Sequence, residues 1–276
     1  MDGVLLVAKP AGVTSHDVVE SVRRARGTKT GHAGTLDPFA TGLLIVLLGR
    51  ATRLQRYMVG LPKAYRVVAR LGAVSDTGDP TGEVTQTGKA AGEADLRRVA
   101  AQLVGEIEQR VPAYSAVKVG GERLYRKARR GEQVETPTRD VVIEACDVLR
   151  FDVQAQEAEL FVRCSSGTYV RQLVADLGEL CGAGAYCTTL ERTEVGPFSL
   201  DDVDAERVLP PSEALPFLPE RVLTEVEADD VRHGRRVADS LKTGIDGESV
   251  RLVFDGALLA VGERRGDEIK PVTVLS

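Results

Sequence analysis

One stretch constrains this chain more than any other: Gly31–Gly42, reading GHAGTLDPFATG, continued without a break by the apolar run Leu43–Leu48. Gly31, Gly34 and Gly42 permit backbone shapes that a Cβ forbids. Pro38 pushes Asp37 away from helical geometry, onto an extended or turning backbone. The apolar run fits a buried strand, and periodicity alone also admits a helix fragment. A single carboxylate held on a stiff loop against a buried strand is one way to present a nucleophile or a general base. The chemistry of these residues by itself favours something plainer, an Asp-Pro turn closed by an Asx hydrogen bond.

The rest of the chain bounds the choice. A length of 276 residues suggests about two domains, and 43% apolar residues is ordinary for a globular chain. No apolar run approaches the roughly 20 residues needed to span a bilayer. The opening MDGVLLVAKP has no basic segment ahead of its short apolar run, so no signal peptide is read and a cytoplasmic location is expected. Cys146, Cys164, Cys181 and Cys187 form no C-x-x-C pair; in a reducing compartment they read as core or surface thiols, not a zinc site.

The net charge of −5 is unevenly spread. From Asp201 onward 10 basic residues face 17 acids, which leaves the first 200 residues at +2. Arg50, Arg53, Arg56, Lys63, Arg66 and Arg70 lie in an acid-free stretch, and Arg110–Arg130 holds seven basic residues against Glu122 alone. Such patches either form an electrostatic footprint for phosphates or are solvated faces balanced by acids folded nearby.

Taken in order, Gly3–Ala8 reads as a strand, and Thr14–Asp17 as a capping box opening a helix to about Arg26. A basic amphipathic helix is expected over 51–59, a strand over 64–71, a turn-rich loop over 72–82 and further loop over 85–93. Asp76 and Asp79 in that loop lack the further acids of a calcium loop and read as structural or RNA-approaching. A helix follows over 94–104. Residues 111–129 read as a strand, a Gly-Gly turn and a short basic helix. Strands follow over 141–153 and 157–164, then a helix with Ser166 or Thr168 as its cap. Gly182-Ala-Gly184 lacks a full dinucleotide-binding fingerprint and is set aside. Residues 201–219 read as a helix fragment and connector. The last segments, 250–254, 257–261 and 272–275, read as strands, the first two joined by the hairpin signal Asp255-Gly256.

Several of these segments together resemble the TruB-type tRNA pseudouridine synthases. Gly31–Leu44 is similar to that family's Gly-His-x-Gly-x-Leu-Asp-Pro-x-Ala-x-Gly-Leu-Leu signature. Lys9–Ser15 resembles its Lys-Pro-x-Gly-x-Thr-Ser opening, Lys63-Ala-Tyr65 its tyrosine segment and Asp76–Gly82 its Asp-Thr-x-Asp-x-x-Gly element. Pro112–Arg129 resembles a long second signature, and Gly167–Arg171 its Gly-Thr-Tyr-x-Arg motif. Thr188–Thr193 resembles a strand that usually carries Leu-Arg-Arg-Thr, with Glu191 departing from it. About 200 residues are covered well and the last 57 poorly.

The resemblance implies an α+β fold with a central mixed, largely antiparallel sheet flanked by helices. It implies a catalytic domain over 1–219, with a connector from about 201, and a small PUA-like β domain over 220–276. It implies a bacterial-type enzyme converting uridine to pseudouridine at position 55 in the T loop of tRNA, on a base flipped out of its stack. Asp37 would be the nucleophile, Arg171 its partner, and Tyr65 the residue that stacks on uracil and takes the C5 proton; without the resemblance Tyr65 reads as a packed strand tyrosine. His32 would fill the space the base leaves, Tyr169 would lie beside the substrate and Leu190 would wall the pocket. Lys118, Arg123, Arg126, Lys127, Arg129 and Arg130, interleaved with aromatic residues, would hold RNA. The reaction is redox-neutral and demands no cofactor and no metal. A monomer acting on the T stem-loop without membrane or protein partner is expected. Two alternatives stay open: a non-catalytic RNA-binding protein on the same scaffold, and the guide-dependent branch of the superfamily.

Overall fold

The structure is a computed structural model that describes residues 1–115, 117–130, 132, 135–240 and 244–275. Strand β1 (Gly3–Lys9) leads to helix α1 (Ser15–Arg26). The capping box forms: the Asp17 backbone N–H donates to the Thr14 hydroxyl, and the Thr14 N–H donates to the Asp17 carboxylate. Short β2 (Thr30–His32) and β3 (Thr41–Leu48) follow. Both faces of β3 are covered. Leu44, Val46 and Leu48 pack with Leu5 and Val18, while Leu43, Ile45 and Leu47 pack with Leu54 and Met58. A strand buried on two sides reads as a continuous apolar run rather than an alternation.

After β3 the expected basic helix is two shorter pieces, a 3₁₀ segment Gly49–Leu54 and the single-turn α2 (Gln55–Met58). The Thr52 hydroxyl donates to the Gly49 carbonyl, a local bond that competes with regular α-helix. β4 (Lys63–Leu71) alternates, sending Tyr65, Val67, Ala69 and Leu71 into the core. The turn-rich loop is bracketed by a hairpin, β5 (Ala73–Ser75) and β6 (Val84–Gln86), so part of the expected 85–93 loop is strand. Helix α3 (Glu93–Gln102) is followed by β7 (Gly105–Arg110), which the sequence reading lacked. Its side chains turned from solvent are Ile107 and Gln109, too little apolar signal to declare a strand.

The hairpin β8 (Lys118–Val119) and β9 (Glu122–Arg123) turns at Gly120-Gly121 and leads to α4 (Leu124–Arg129). Then come β10 (Thr138–Asp152), β11 (Glu157–Cys164), α5 (Val170–Leu180) and β12 (Ala185–Val195). The cap of α5 is not Ser166 or Thr168: Tyr169 occupies that position with no side-chain cap bond. The Thr168 hydroxyl donates instead to the Ser165 carbonyl. In place of a helix fragment beyond residue 200 there are β13 (Phe198–Ser199), a 3₁₀ turn Leu200–Asp202 and β14 (Val208–Leu209).

These strands form one sheet in the order β14-β1-β3-β12-β4-β11-β10-β7, with β2 added to β3 and β13 to β12. Every pairing is antiparallel except β3 with β12, so the sheet is mixed and largely antiparallel as expected. Helices α3 and α5 bury Leu96, Val99, Leu173, Val174 and Leu177 against the inward residues of β4 and β11.

The remaining residues form a separate sheet. β15 (Glu220–Val222), helix α6 (Glu225–Arg232), β16 (Val237–Ala238), β17 (Ser249–Phe254), β18 (Ala257–Arg265) and β19 (Glu268–Val274) give the order β15-β17-β18-β19-β16. Asp255 and Gly256 both take positive φ, +49° and +71°, as a two-residue hairpin turn requires. Helix α6 is unanticipated; its capping box, Thr224 with Glu227, was the available signal. Val253, Leu258, Val261 and Leu275 join the cluster of Leu43, Ile45, Leu47, Leu54 and Met58, so the second sheet covers one face of β3.

Candidate active site

The loop between β2 and β3 carries Asp37 and is pinned from three directions. Ser15, at the start of α1, accepts from the Leu36 N–H at 2.9 Å and donates to the Leu36 carbonyl at 3.2 Å. Lys9, at the end of β1, donates to the carbonyls of Pro10, Pro38 and Ala40 at 2.8, 3.3 and 2.6 Å. Arg192, on β12, donates to the carbonyls of Leu43, Gly34 and Thr35 at 2.8, 3.1 and 3.4 Å. The parallel approach of β3 and β12 explains Gly42: with φ +103°, a Cβ there would lie 2.3 Å from the Arg192 carbonyl oxygen.

Asp37 meets Arg171 from α5. The Arg171 Nε donates to Asp37 Oδ2 at 2.7 Å, and Nη2 reaches Oδ1 at 3.5 Å. The Arg171 side chain is 3% exposed while that of Asp37 is 34% exposed, so the carboxylate alone faces outward. The guanidinium presents a rigid, planar fork to the carboxylate. Its other donors reach the carbonyls of Thr77 and Tyr114 and, at 3.4 Å, the Oδ2 of Asp79. Arg171 is thus set between two carboxylates. Asp79 is buried and is not an RNA-approaching residue: its Oδ1 accepts from the Thr77 hydroxyl, the Thr81 N–H and the Thr81 hydroxyl. Asp76 accepts from the Glu83 N–H and is structural. The threonines two residues either side of Asp79 were the signal for a carboxylate fixed by its own loop.

Tyr169 stands at the start of α5. The fully buried Gln109 of β7 accepts from its N–H at 2.8 Å and donates to its carbonyl at 3.1 Å. The Arg139 guanidinium lies 5.2 Å from the Tyr169 ring centroid, a cation–π contact. Nothing in the sequence pointed to Gln109, because a buried amide acting on a distant backbone has no local pattern.

Tyr65 and Leu190 enter one apolar cluster with Leu36 and Ala40, and Phe39 packs against it. On the neighbouring strand Tyr65 is paired with Arg192. Burial pushes the Tyr65 hydroxyl up to about 12, with the Arg192 charge opposing that shift. Burial lowers the pKa of His32 and of Lys9, and brings Lys63 down to about 8. His32 ends β2; its carbonyl accepts from the Gln55 side chain at 2.7 Å, while its buried Nδ1 has no hydrogen-bond partner among the described residues.

A family model for TruB family pseudouridylate synthase (N terminal domain) matches residues 22–170. The protein called tRNA pseudouridine synthase B from Thermobifida fusca (strain YX) is 43% identical over 292 residues, covering 100% of this chain and 99% of that one. Its namesake from Arthrobacter sp. (strain FB24) is 41% identical over 302 residues, covering 100% and 97%. The chain belongs to the TruB family of pseudouridylate synthases. As a member of that family it is an isomerase. Among solved structures, one of a Cbf5-Nop10-Gar1 complex matches with a TM-score of 0.74 at 25% identity, over 99% of this chain and 85% of that one. A structure of an H/ACA RNP bound to a substrate RNA containing 2′-deoxyuridine matches with a TM-score of 0.75 at 23% identity, over the same shares, and so shares the fold.

The two basic stretches of this TruB-family chain fare differently. The first is dispersed: Arg50 pairs with Asp2 at 2.7 Å, Arg66 with Glu159 at 3.7 Å and Arg70 with Glu157 at 3.8 Å. In the second, Lys118, Arg123 and Arg126 are exposed and Lys127 is half-buried. Arg130 is exposed and ion-paired at the surface: Glu122 accepts from it at 2.6 and 2.9 Å and Glu132 at 2.7 Å. The side chain of Arg129 lies outside the described residues. Among the described residues no cluster of three or more His, Cys, Asp or Glu could hold a metal ion, and no helix is long and apolar enough to cross a membrane.

Proposed function

We propose that this chain isomerises uridine to pseudouridine at position 55 in the T loop of tRNA, with Asp37 as nucleophile on a flipped-out base. The observation that carries this reading is the outward-facing Asp37 carboxylate locked by buried Arg171 beside the cluster of Tyr65, Leu190 and Leu36. The tRNA substrate rests on the relatives that carry it in their name. The C1′–N1 bond breaks, the base rotates and C1′ joins C5; Asp37 attacks either C6 of uracil or C1′ of ribose. Unstacking the base costs a few kcal/mol, offset by pocket contacts. Tyr65 stacks on the uracil and takes the C5 proton, Leu190 walls the pocket, His32 fills the vacated stack and Tyr169 lies beside the substrate. Arg171 orients Asp37 and offsets its charge.

Lys118, Arg123, Arg126 and Lys127 hold tRNA phosphates. Residues 1–219 act as the catalytic domain and 220–276 as a PUA-type RNA-binding module. The enzyme works in the cytoplasm, as a monomer, without guide RNA or partner proteins. Supporting the stand-alone mode, identity is 43% to a tRNA pseudouridine synthase B but 25% to the Cbf5-Nop10-Gar1 structure. Base mapping of a T-loop transcript before and after incubation with the pure chain tests the reading. Conversion by the parent and none by Asp37→Asn, with tRNA binding kept, is expected. Turnover by Asp37→Asn within about tenfold of the parent, a loss of less than about 1.4 kcal/mol, would assign the chemistry to another residue.

A further inference from the structure

Arg192 is among the largest fully buried side chains, 1% exposed, yet among the described residues it forms no ion pair with a carboxylate. A cation taken out of water without a counter-charge is costly, and carbonyl dipoles offset only part of that cost. Such a position favours negative charge arriving beside it. The groups facing it from neighbouring elements narrow what that charge is. Lys63 from β4, Lys9 from β1 and His32 from β2 add positive or neutral groups. Asp37 is engaged by Arg171, on the other side of the loop. Cys164 from β11 faces Tyr65 rather than Arg192, and burial keeps it a thiol. The Tyr65 hydroxyl remains: Tyr65 is the cross-strand partner of Arg192 and its oxygen lies beside the guanidinium.

We propose that Arg192 is a positioning residue for Tyr65 as well as a clamp of the catalytic loop, supplying the fixed positive charge against which the Tyr65 hydroxyl ionises. This rests on the reading of Tyr65 as the group that takes the C5 proton. In the rejoined base C5 carries both C1′ and hydrogen. The phenol, held neutral by burial before substrate enters, first gives its proton to a water in the opened pocket, a cost that the Arg192 charge reduces. The C5–H bond then breaks, its proton passing to the phenolate and its electron pair forming the C5=C6 double bond. If Asp37 is bonded to C6, the C6–O pair leaves with the Asp37 carboxylate; if it attacked C1′, the π pair of the C6=N1 bond moves onto N1. In either route N1 takes a proton from water. Buried without Arg192, the phenolate would stand in an apolar pocket with the Asp37 charge near it and no adjacent positive charge.

The test is single-turnover conversion of transcripts with hydrogen or deuterium at C5 of the target uridine. The parent, Tyr65→Phe, Arg192→Gln and the double variant are compared, with folding followed by circular dichroism. Each single variant is expected to be about tenfold slower or more. Arg192→Gln should show a larger C5 isotope effect than the parent, because proton removal becomes limiting. The double variant should fall within about twofold of Tyr65→Phe alone, since both act through one group. A double variant slowed by the product of the two single effects, or an unchanged isotope effect in Arg192→Gln, leaves Arg192 as a loop clamp only and overturns the proposal. Should Arg192→Gln not fold, Arg192→Lys decides: it keeps the charge and should keep the parent's isotope effect, and a raised effect there overturns the role of charge. A parent that converts nothing overturns the proposed function too; a parent that converts while Asp37→Asn does not, with Arg192 uncoupled from Tyr65, overturns this inference alone.

Discussion

Replacing Asp79 by Asn removes one of the two carboxylates on Arg171 and leaves the shape of the loop. At 3.4 Å the Asp79–Arg171 attraction is about 5 kcal/mol for an effective dielectric of 20, before desolvation is subtracted. Losing one partner of a buried pair costs about 3–5 kcal/mol when the other is left alone. Here it is not left alone: Asp37 and the carbonyls of Thr77 and Tyr114 still hold the guanidinium. The expected loss is therefore below that range, about 1.5–3 kcal/mol for one interaction with a charged group. If all of it falls on the orientation of Asp37, single-turnover isomerisation slows by about tenfold to a little over a hundredfold. Binding of tRNA is expected to stay within about twofold, because neither carboxylate is among the residues proposed to hold phosphates. The assay is quench-flow conversion at saturating enzyme, with filter binding alongside and a thermal melt to confirm folding. A folded Asp79→Asn variant with the parent's rate would show that Asp37 is oriented without the second carboxylate, and the network reading would be wrong.

Three further outcomes are expected. Changing Arg123, Arg126 and Lys127 together to Gln should reduce the slope of log affinity against log salt by about two to three, whereas Arg130→Gln, its charge already matched by Glu122 and Glu132, should move the slope by well under one; equal effects would refute this division of the patch. Deleting 220–276 removes Val253, Leu258, Val261 and Leu275 from the cluster around β3, a loss on the order of 5 kcal/mol or more, so a melting point within a few degrees of the full chain would contradict the shared core. Lys63 has a folded pKa of about 8 against an ordinary 10.5, so the folded state binds fewer protons between those values and stability rises with pH across them. Relative to Lys63→Met, the parent should gain about 3 kcal/mol from pH 8 to 10.5 and nothing below pH 8; a flat difference in denaturant midpoints would argue that Lys63 is solvated.

Local patterns were enough for much of this chain. The Thr14–Asp17 box, the alternation of β4, the Asp255-Gly256 hairpin and the unbroken apolar run of β3 each depend on residues a few positions apart. The pairing of Asp37 with Arg171 came from motif resemblance, since nothing local links residues 134 apart in sequence. The short pieces are the least legible: β7 carries too little apolar signal, and the basic amphipathic stretch 51–59 splits into a 3₁₀ segment and a single α-turn.

Other features exist only once the chain has folded. Asp79 reaches Arg171 because the β5–β6 hairpin folds back on α5, and Gln109 holds Tyr169 because the end of β7 meets the start of α5. In sequence Arg192 is only one position of the Thr188–Thr193 motif, with no role assigned. Its parallel pairing with Gly42 takes it out of water and turns it onto the carbonyls of the Asp37 loop. The difference is physical: propensity, capping and hydrophobic period act over a few residues and are written locally. Burial of a charge and the choice of its partner depend on which strands become neighbours, and β3 meets β12 across nearly 150 residues of intervening chain.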